Sequence, residues 1–192
     1  PEGNRTIMEY DSRNRMVKKI DPLGAVTTYA YDPEGRCTQM TDAAGNHHTY
    51  EYDAAGQLVR ETDVRGNTTV YEYNSMGRVT GVTDPAGRRT VYTYDAGGKP
   101  EKIIYPDGTC ETYGYDPAGN LILRINHRGD QQEYIYDCLN RPVSRKNSFG
   151  QEQSCTYDAV GRVTSVTDTL GRVTRYTYSL GGNLTSVLDA AG

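Results

Sequence analysis

Hydrophobic and polar positions fall into short bursts along this chain, each closed by a polar break. The 21 residues from Tyr157 to Thr177 show the pattern. A polar opening, Tyr157-Asp158-Ala159-Val160-Gly161-Arg162, leads into Val163-Thr164-Ser165-Val166-Thr167. A second break, Asp168-Thr169-Leu170-Gly171, precedes Arg172-Val173-Thr174-Arg175-Tyr176-Thr177 and then Tyr178. Both runs are rich in Val, Thr and Tyr, which suit a pleated strand. Each run is about 6 residues, an ordinary strand length. They are too short and too β-branched for amphipathic helices. The unit predicts two strands and two turns.

The unit recurs without insertion or deletion. Its anchor tyrosine stands at Tyr10, Tyr31, Tyr52, Tyr73, Tyr94, Tyr115, Tyr136, Tyr157 and Tyr178, always 21 residues apart. A fixed period of this length means one supersecondary unit stacked on copies of itself. The turns carry their own chemistry. Asp at the first position hydrogen-bonds the backbone two residues on, and Gly at the fourth takes positive φ. Asp follows the anchor at Asp32, Asp53, Asp116 and Asp158, among others. In the second turn the glycine has no exception: Gly3, Gly24, Gly45, Gly66, Gly87, Gly108, Gly129, Gly150, Gly171 and Gly192. Where the first turn lacks Gly it has Asn14 or Asn140, the residue next most tolerant of the left-handed region.

Strands joined by tight turns give an all-β fold, a continuous antiparallel meander. Nine units predict roughly 18 strands at about 4.8 Å spacing, a ribbon on the order of 85 Å long and about 20 Å wide. Sheets twist, so a curved or spiralling single layer is expected. Residues 1–192 are expected to be one repeat array without separate domains. Strand alternation puts Thr69, Tyr71 and Tyr73 on one face and Val70 and Glu72 on the other. On the first strand, alternation sets Leu58 and Thr62 against Val59 and Glu61, a weak contrast. A double row of tyrosines therefore runs along one side, and neither side reads as a thick hydrophobic core. Tyrosine suits a wall, because its ring packs on neighbours while its hydroxyl reaches water or backbone.

Composition sharpens this picture. Only 35% of residues are hydrophobic, Trp is absent and Phe149 is the single Phe, yet there are 17 tyrosines. An ordered sheet with little dry core reconciles these values. The net charge of −4 is mild and unclustered, so no nucleic-acid footprint is expected. No apolar run approaches the ~18 residues of a membrane span, so this segment is not expected to insert in a membrane. The chain opens mid-repeat at Pro1-Glu2-Gly3, which suggests an excised piece. Cys37, Cys110, Cys138 and Cys155 share no repeat position or CxxC spacing, so free thiols are expected.

Candidate chemistry is thin. Rows of aspartate raise calcium. Asn74, Ser179, Asn126 and Asn147 replace Asp in places, keeping the turn hydrogen bond while losing charge. Turn capping explains that better than a metal, and no cofactor is expected. His47 and His48 are adjacent and point to opposite faces, and His127 lies in a turn. Asn4, Asn67 and Asn183 head glycosylation sequons, which matter only in a eukaryotic secretory setting. No nucleophile elbow, metalloprotease pair, phosphate loop or dinucleotide fingerprint occurs, so catalysis is not expected.

The unit beginning Tyr157-Asp158, with Gly161, Arg162, Asp168 and Gly171, resembles the YD or Rhs repeat, and the likeness covers the whole chain. Members include bacterial Rhs polymorphic toxins, shell-forming subunits of Tc insecticidal complexes, and teneurins. The short units here resemble the bacterial versions. The resemblance implies a segment of a hollow β-shell that sequesters a C-terminal toxin before delivery out of a bacterial cell. Its implied partners are the remaining shell repeats and the enclosed toxin domain. Some positions depart from the pattern. Tyr105-Pro106-Asp107-Gly108 replaces the usual second turn, Asn126 and Asn147 lack the Asp, and Met8 and Cys155 replace the first tyrosine of the pair. The stretch from Glu101 to Gln153 is thus the most divergent, through drift or through contact with a cargo, a plug or a neighbouring domain. The competing expectation is an adhesion module whose tyrosine rows face outward to glycans or another protein.

Overall fold

A computed structural model describes residues 5–190; Gly3, Asn4 and Gly192 lie outside them. Eighteen antiparallel strands form one unclosed sheet, with no helix among the described residues. The chain divides into two compact units, Pro1–Tyr92 and Thr93–Gly192. The first carries β1 (Ile7–Tyr10), β2 (Met16–Ile20), β3 (Val26–Tyr31), β4 (Cys37–Thr41), β5 (His47–Tyr52), β6 (Leu58–Thr62), β7 (Thr68–Tyr73) and β8 (Val79–Thr83). The boundary falls within β9 (Arg89–Tyr94). The second carries β10 (Pro100–Ile104), β11 (Cys110–Tyr115), β12 (Leu121–Ile125), β13 (Gln131–Tyr136) and β14 (Pro142–Asn147). It continues through β15 (Glu152–Tyr157), β16 (Val163–Thr167), β17 (Val173–Tyr178) and β18 (Leu184–Leu188).

Both turns of a repeat close in the same way. In the turn at Asp42, Gly45 N–H donates to the Asp42 carbonyl at 3.0 Å, and Asp42 N–H to the Asn46 carbonyl at 3.0 Å. The Asp42 carboxylate accepts from the N–H groups of Ala44 and Asn46 at 2.8 and 2.9 Å. Gly45 sits at φ 82°, where an added Cβ would meet nothing but the backbone penalty itself. Asn140 takes the equivalent place in its turn at φ 60°.

The two hairpins of a repeat differ in register. Across the second turn β4 and β5 pair evenly, Gln39 with Thr49 through Thr41 with His47. Across the first turn a β-bulge falls at the anchor tyrosine: Glu51 opposes Arg60 but Tyr52 opposes Leu58, leaving Val59 without an opposite. The same shift recurs beside Tyr10, Tyr31, Tyr73, Tyr115, Tyr136, Tyr157 and Tyr178. A bulge adds one residue to one strand and breaks its alternation. This corrects the face expected for Leu58. Directly opposed residues share a face, so Leu58, opposite Tyr52, lies with Glu61, opposite Tyr50, on the tyrosine side. Thr62, opposite Thr49, lies on the other side.

Among the described residues no hydrophobic side chain is fully buried. The two faces are nevertheless unequal. Along β3, Tyr29 and Tyr31 are half-buried while Thr28 and Ala30 are exposed, and β17 repeats this with Tyr176 and Tyr178 against Arg175 and Thr177. The tyrosine side is thus the drier of two wet sides. The first and last strands, β1 and β18, are exposed at every residue, as expected for strands with one neighbour.

Candidate functional site

The most built feature of the molecule is a clasp between successive repeats at the first turn. It begins with the cap. Asp32 accepts from Arg36 N–H at 2.8 Å, and its other oxygen accepts from Arg36 Nε at 2.6 Å. The locked guanidinium then reaches the next repeat. Arg36 Nη1 donates to the Asp53 carbonyl at 3.2 Å, and Arg36 Cζ lies 4.9 Å from the centroid of the Tyr52 ring. Tyr52 reaches back: its hydroxyl donates to the Cys37 carbonyl at 2.9 Å. One carboxylate, one guanidinium and one phenol thereby join residues 17 and 15 positions apart.

The clasp repeats. Arg15 lies 4.7 Å from the Tyr31 ring and bonds Asp11 and the Asp32 carbonyl, while Tyr31 donates to the Met16 carbonyl. Arg141 with Tyr157, and Arg162 with Tyr178, repeat it in the second unit at 4.5 and 4.7 Å. Lys99 substitutes over Tyr115 at 5.1 Å. Gln57 occupies the arginine place before Tyr73, whose hydroxyl still donates to the Leu58 carbonyl at 2.7 Å. Second-turn arginines cap their aspartates too, Arg88 on Asp84 and Arg172 on Asp168, but remain about two-thirds exposed. The clasp arginines Arg36 and Arg141 are only 28% and 26% exposed. The same turn chemistry therefore becomes a tether between repeats only where a ring lies beneath it.

The electrostatics follow the hydrogen bonds. The Arg15 backbone N–H and guanidinium hold the Asp11 carboxyl below its ordinary range. The Arg141 guanidinium and backbone do the same for Asp137. Asp53 and Asp116 also cap their turns; Asp116 is lowered chiefly by the Asn120 amide. Asp158 repeats the arrangement with Arg162. These capping carboxylates spend their oxygens on backbone N–H groups, and Asp11, Asp116, Asp137 and Asp158 also on the side chain four residues on, which is turn geometry. Asn126 serves as such a cap without charge, accepting from Arg128 and Asp130 N–H at 2.9 Å each.

Two clusters break the repeat symmetry. In the first unit, His48 stacks on Tyr50 at 4.7 Å, its Nε2 3.9 Å from Glu61, and Glu61 accepts from the Tyr71 hydroxyl at 2.6 Å. That hydrogen bond, with burial, pushes the Tyr71 phenol up to about 12. His47 bonds Gln39 and Thr41 instead. In the second unit Glu111, 9% exposed, accepts from the Tyr113 and Tyr105 hydroxyls and from Arg124. His127 Nδ1 lies 4.0 Å away. Tyr105 replaces an aspartate cap, and Asp107 caps that turn instead through Thr109 N–H at 2.9 Å. These bonds place Glu111 below its ordinary range, the Tyr113 hydroxyl foremost and then Arg124.

Of the anchor tyrosines named from sequence, Tyr31, Tyr52, Tyr157 and Tyr178 lie under clasp arginines and Tyr115 under Lys99. Tyr73 keeps its hydroxyl bond to the Leu58 carbonyl, Tyr94 and Tyr136 end β9 and β13, and Tyr10, on the exposed first strand, donates to Met8 Sδ at 3.4 Å. The named glycines from Gly24 to Gly171 take the fourth turn place at positive φ. Arg162 belongs to the repeat signature, but the tethering role of Arg15, Arg36, Arg141 and Arg162 was not read from the sequence. Their signal was present, an Arg four residues after the turn aspartate and 16 before the next anchor.

Residues 4–154 match the teneurin YD-shell family, and residues 157–192 match the RHS repeat. No curated protein matches the chain. Among solved structures, the TcdB2-TccC3-Cdc42 crystal structure is similar at TM-score 0.58 and 16% identity, over 96% of this chain and 13% of that one. A Photorhabdus luminescens Tc holotoxin pore carrying TccC3-D651A gives TM-score 0.60 at 16% identity, over 96% and 13%. TcdB2-TccC3 itself gives 0.58 at 16%, over 97% and 15%. The chain thus spans about one-seventh of the length of these structures, and at this identity the likeness is one of fold.

Proposed function

Because the chain belongs to the YD-shell and Rhs repeat family, we propose that it is a stretch of wall in an encapsulating β-shell. Residues 1–192 act as one repeat array within that wall. The wall shields a C-terminal toxin polypeptide until the larger protein is delivered out of a bacterial cell. Its partners are the flanking shell repeats and the enclosed chain. It works by exclusion, without chemistry of its own. The observation that carries this reading is the clasp. A sheet with no buried hydrophobic core among its described residues holds its repeats together edge by edge, as a single-layer wall must. The divergent stretch from Glu101 to Gln153 is then the part suited to contact what lies against the wall.

Cryo-electron microscopy of the complete protein that carries these repeats tests the proposal. Density for a separate polypeptide inside a closed wall is the expected result. An open ribbon with tyrosines lining an outward groove would overturn it in favour of an adhesion module.

A further inference from the structure

Two repeats lack a side chain that the other seven supply: Met8 stands in its place on the exposed first strand, and Cys155 within the sheet. The position two residues before the anchor is tyrosine at Tyr29, Tyr50, Tyr71, Tyr92, Tyr113, Tyr134 and Tyr176, and cysteine at Cys155. The structure shows a recess there of about 400 Å³, lined by Tyr134, Val143, Arg145, Gln153, Cys155 and Val166 among others. The register fixes the side on which it opens. Cys155 opposes Val166, Gln153 opposes Arg145, and Arg145 opposes Tyr134. All five therefore share the tyrosine face. The thiol is too short to fill a phenol's place, and it turns to the backbone, donating to the Pro142 carbonyl at 3.0 Å.

The hydroxyl partner has survived the exchange. In the two preceding repeats the tyrosine donates to the side chain two residues before it, Tyr113 to Glu111 at 2.7 Å and Tyr134 to Gln132 at 2.8 Å. Gln153 holds that place before Cys155, its amide oxygen accepting from Arg145 at 3.1 Å with a second lone pair open. The recess thus offers a ring on one side, aliphatic side chains on the other, a cation at the rim and a phenol acceptor. We propose that this notch is a docking site for one tyrosine side chain presented by another polypeptide. The guest ring completes the row that Cys155 interrupts and gives its hydroxyl hydrogen to Gln153. The notch is built by this chain alone and does not depend on what the wall encloses.

The test is an amide NMR titration of the 192-residue chain with N-acetyl-tyrosinamide, with N-acetyl-alaninamide as the control. Saturable shifts confined to the surroundings of Cys155, Gln153 and Val166 are expected with the first compound only. Cys155→Tyr, which supplies the ring internally, is expected to abolish them and to raise the unfolding midpoint by about 2–4 °C. Gln153→Ala leaves the recess open and is expected to weaken the tyrosine probe several-fold. Absent shifts, shifts that persist in Cys155→Tyr, or unchanged affinity in Gln153→Ala would each overturn the assignment. So would binding of p-cresol without binding of N-acetyl-tyrosinamide, which would assign the notch to free phenols.

Discussion

Tyr71 shows how much a single residue owes to its neighbours. Its hydroxyl donates to Glu61 and its phenol is pushed up to about 12. An unfolded tyrosine ionises near ~10. A raised tyrosine value means that the neutral form is favoured in the fold. The contribution of this bond to stability is therefore complete below ~10 and lost as pH climbs through about 12. In an ultraviolet titration Tyr71 should belong to a late-ionising class together with Tyr113, also raised to about 12. Glu61→Gln should move Tyr71 toward the ordinary value and leave Tyr113 late. An unchanged titration curve in the variant would refute the assignment. At this scale the sequence was informative about turns, because Asp, Gly and Asn act on backbone within a few residues. It was silent on Tyr71 and Glu61, which meet only after the strands pair.

The hairpin is the next scale, and here the clasp governs. Arg36 over Tyr52 adds a cation–π contact to a hydrogen-bonded turn. A double-mutant cycle with Arg36→Ala and Tyr52→Leu should give a coupling energy of about 0.5–1 kcal/mol. The same cycle at Gln57 and Tyr73, where no guanidinium is present, should give a value near zero. Equal coupling in the two cycles would show that the ring packs without help from the charge. Strand positions and both turn types were legible from the alternation of runs and breaks. The bulge was not, because it depends on which residue of the partner strand faces Tyr52. That one extra residue is why Leu58 changes side, and why the first strand of each repeat alternates so weakly.

At the scale of the molecule, the lack of a dry core among the described residues has a calorimetric signature. Ordinary globular domains gain about 12–15 cal/mol/K per residue on unfolding, mostly from newly exposed apolar surface. This chain has no fully buried hydrophobic side chain among its described residues. Scanning calorimetry should therefore give a heat-capacity increment per residue clearly below that range. A value inside it would mean that apolar surface is hidden somewhere the single sheet does not provide. The all-β meander was readable from period and turn chemistry, and the family from the resemblance of the unit that begins Tyr157-Asp158. The tether between repeats was not, since its members are separated by most of a repeat.

That separation makes the array its own measuring rule. Each arginine clasp joins a guanidinium to a ring 16 residues later and to a carbonyl 17 residues later. A residue gained or lost within β4 or β5 slips the register between Arg36 and Tyr52 and leaves the guanidinium facing the wrong side chain, whereas duplication of an entire unit renews every contact. Whole repeats are therefore the unit in which such a gene can lengthen or shorten its wall with its joints intact, and recombination between repeats supplies them.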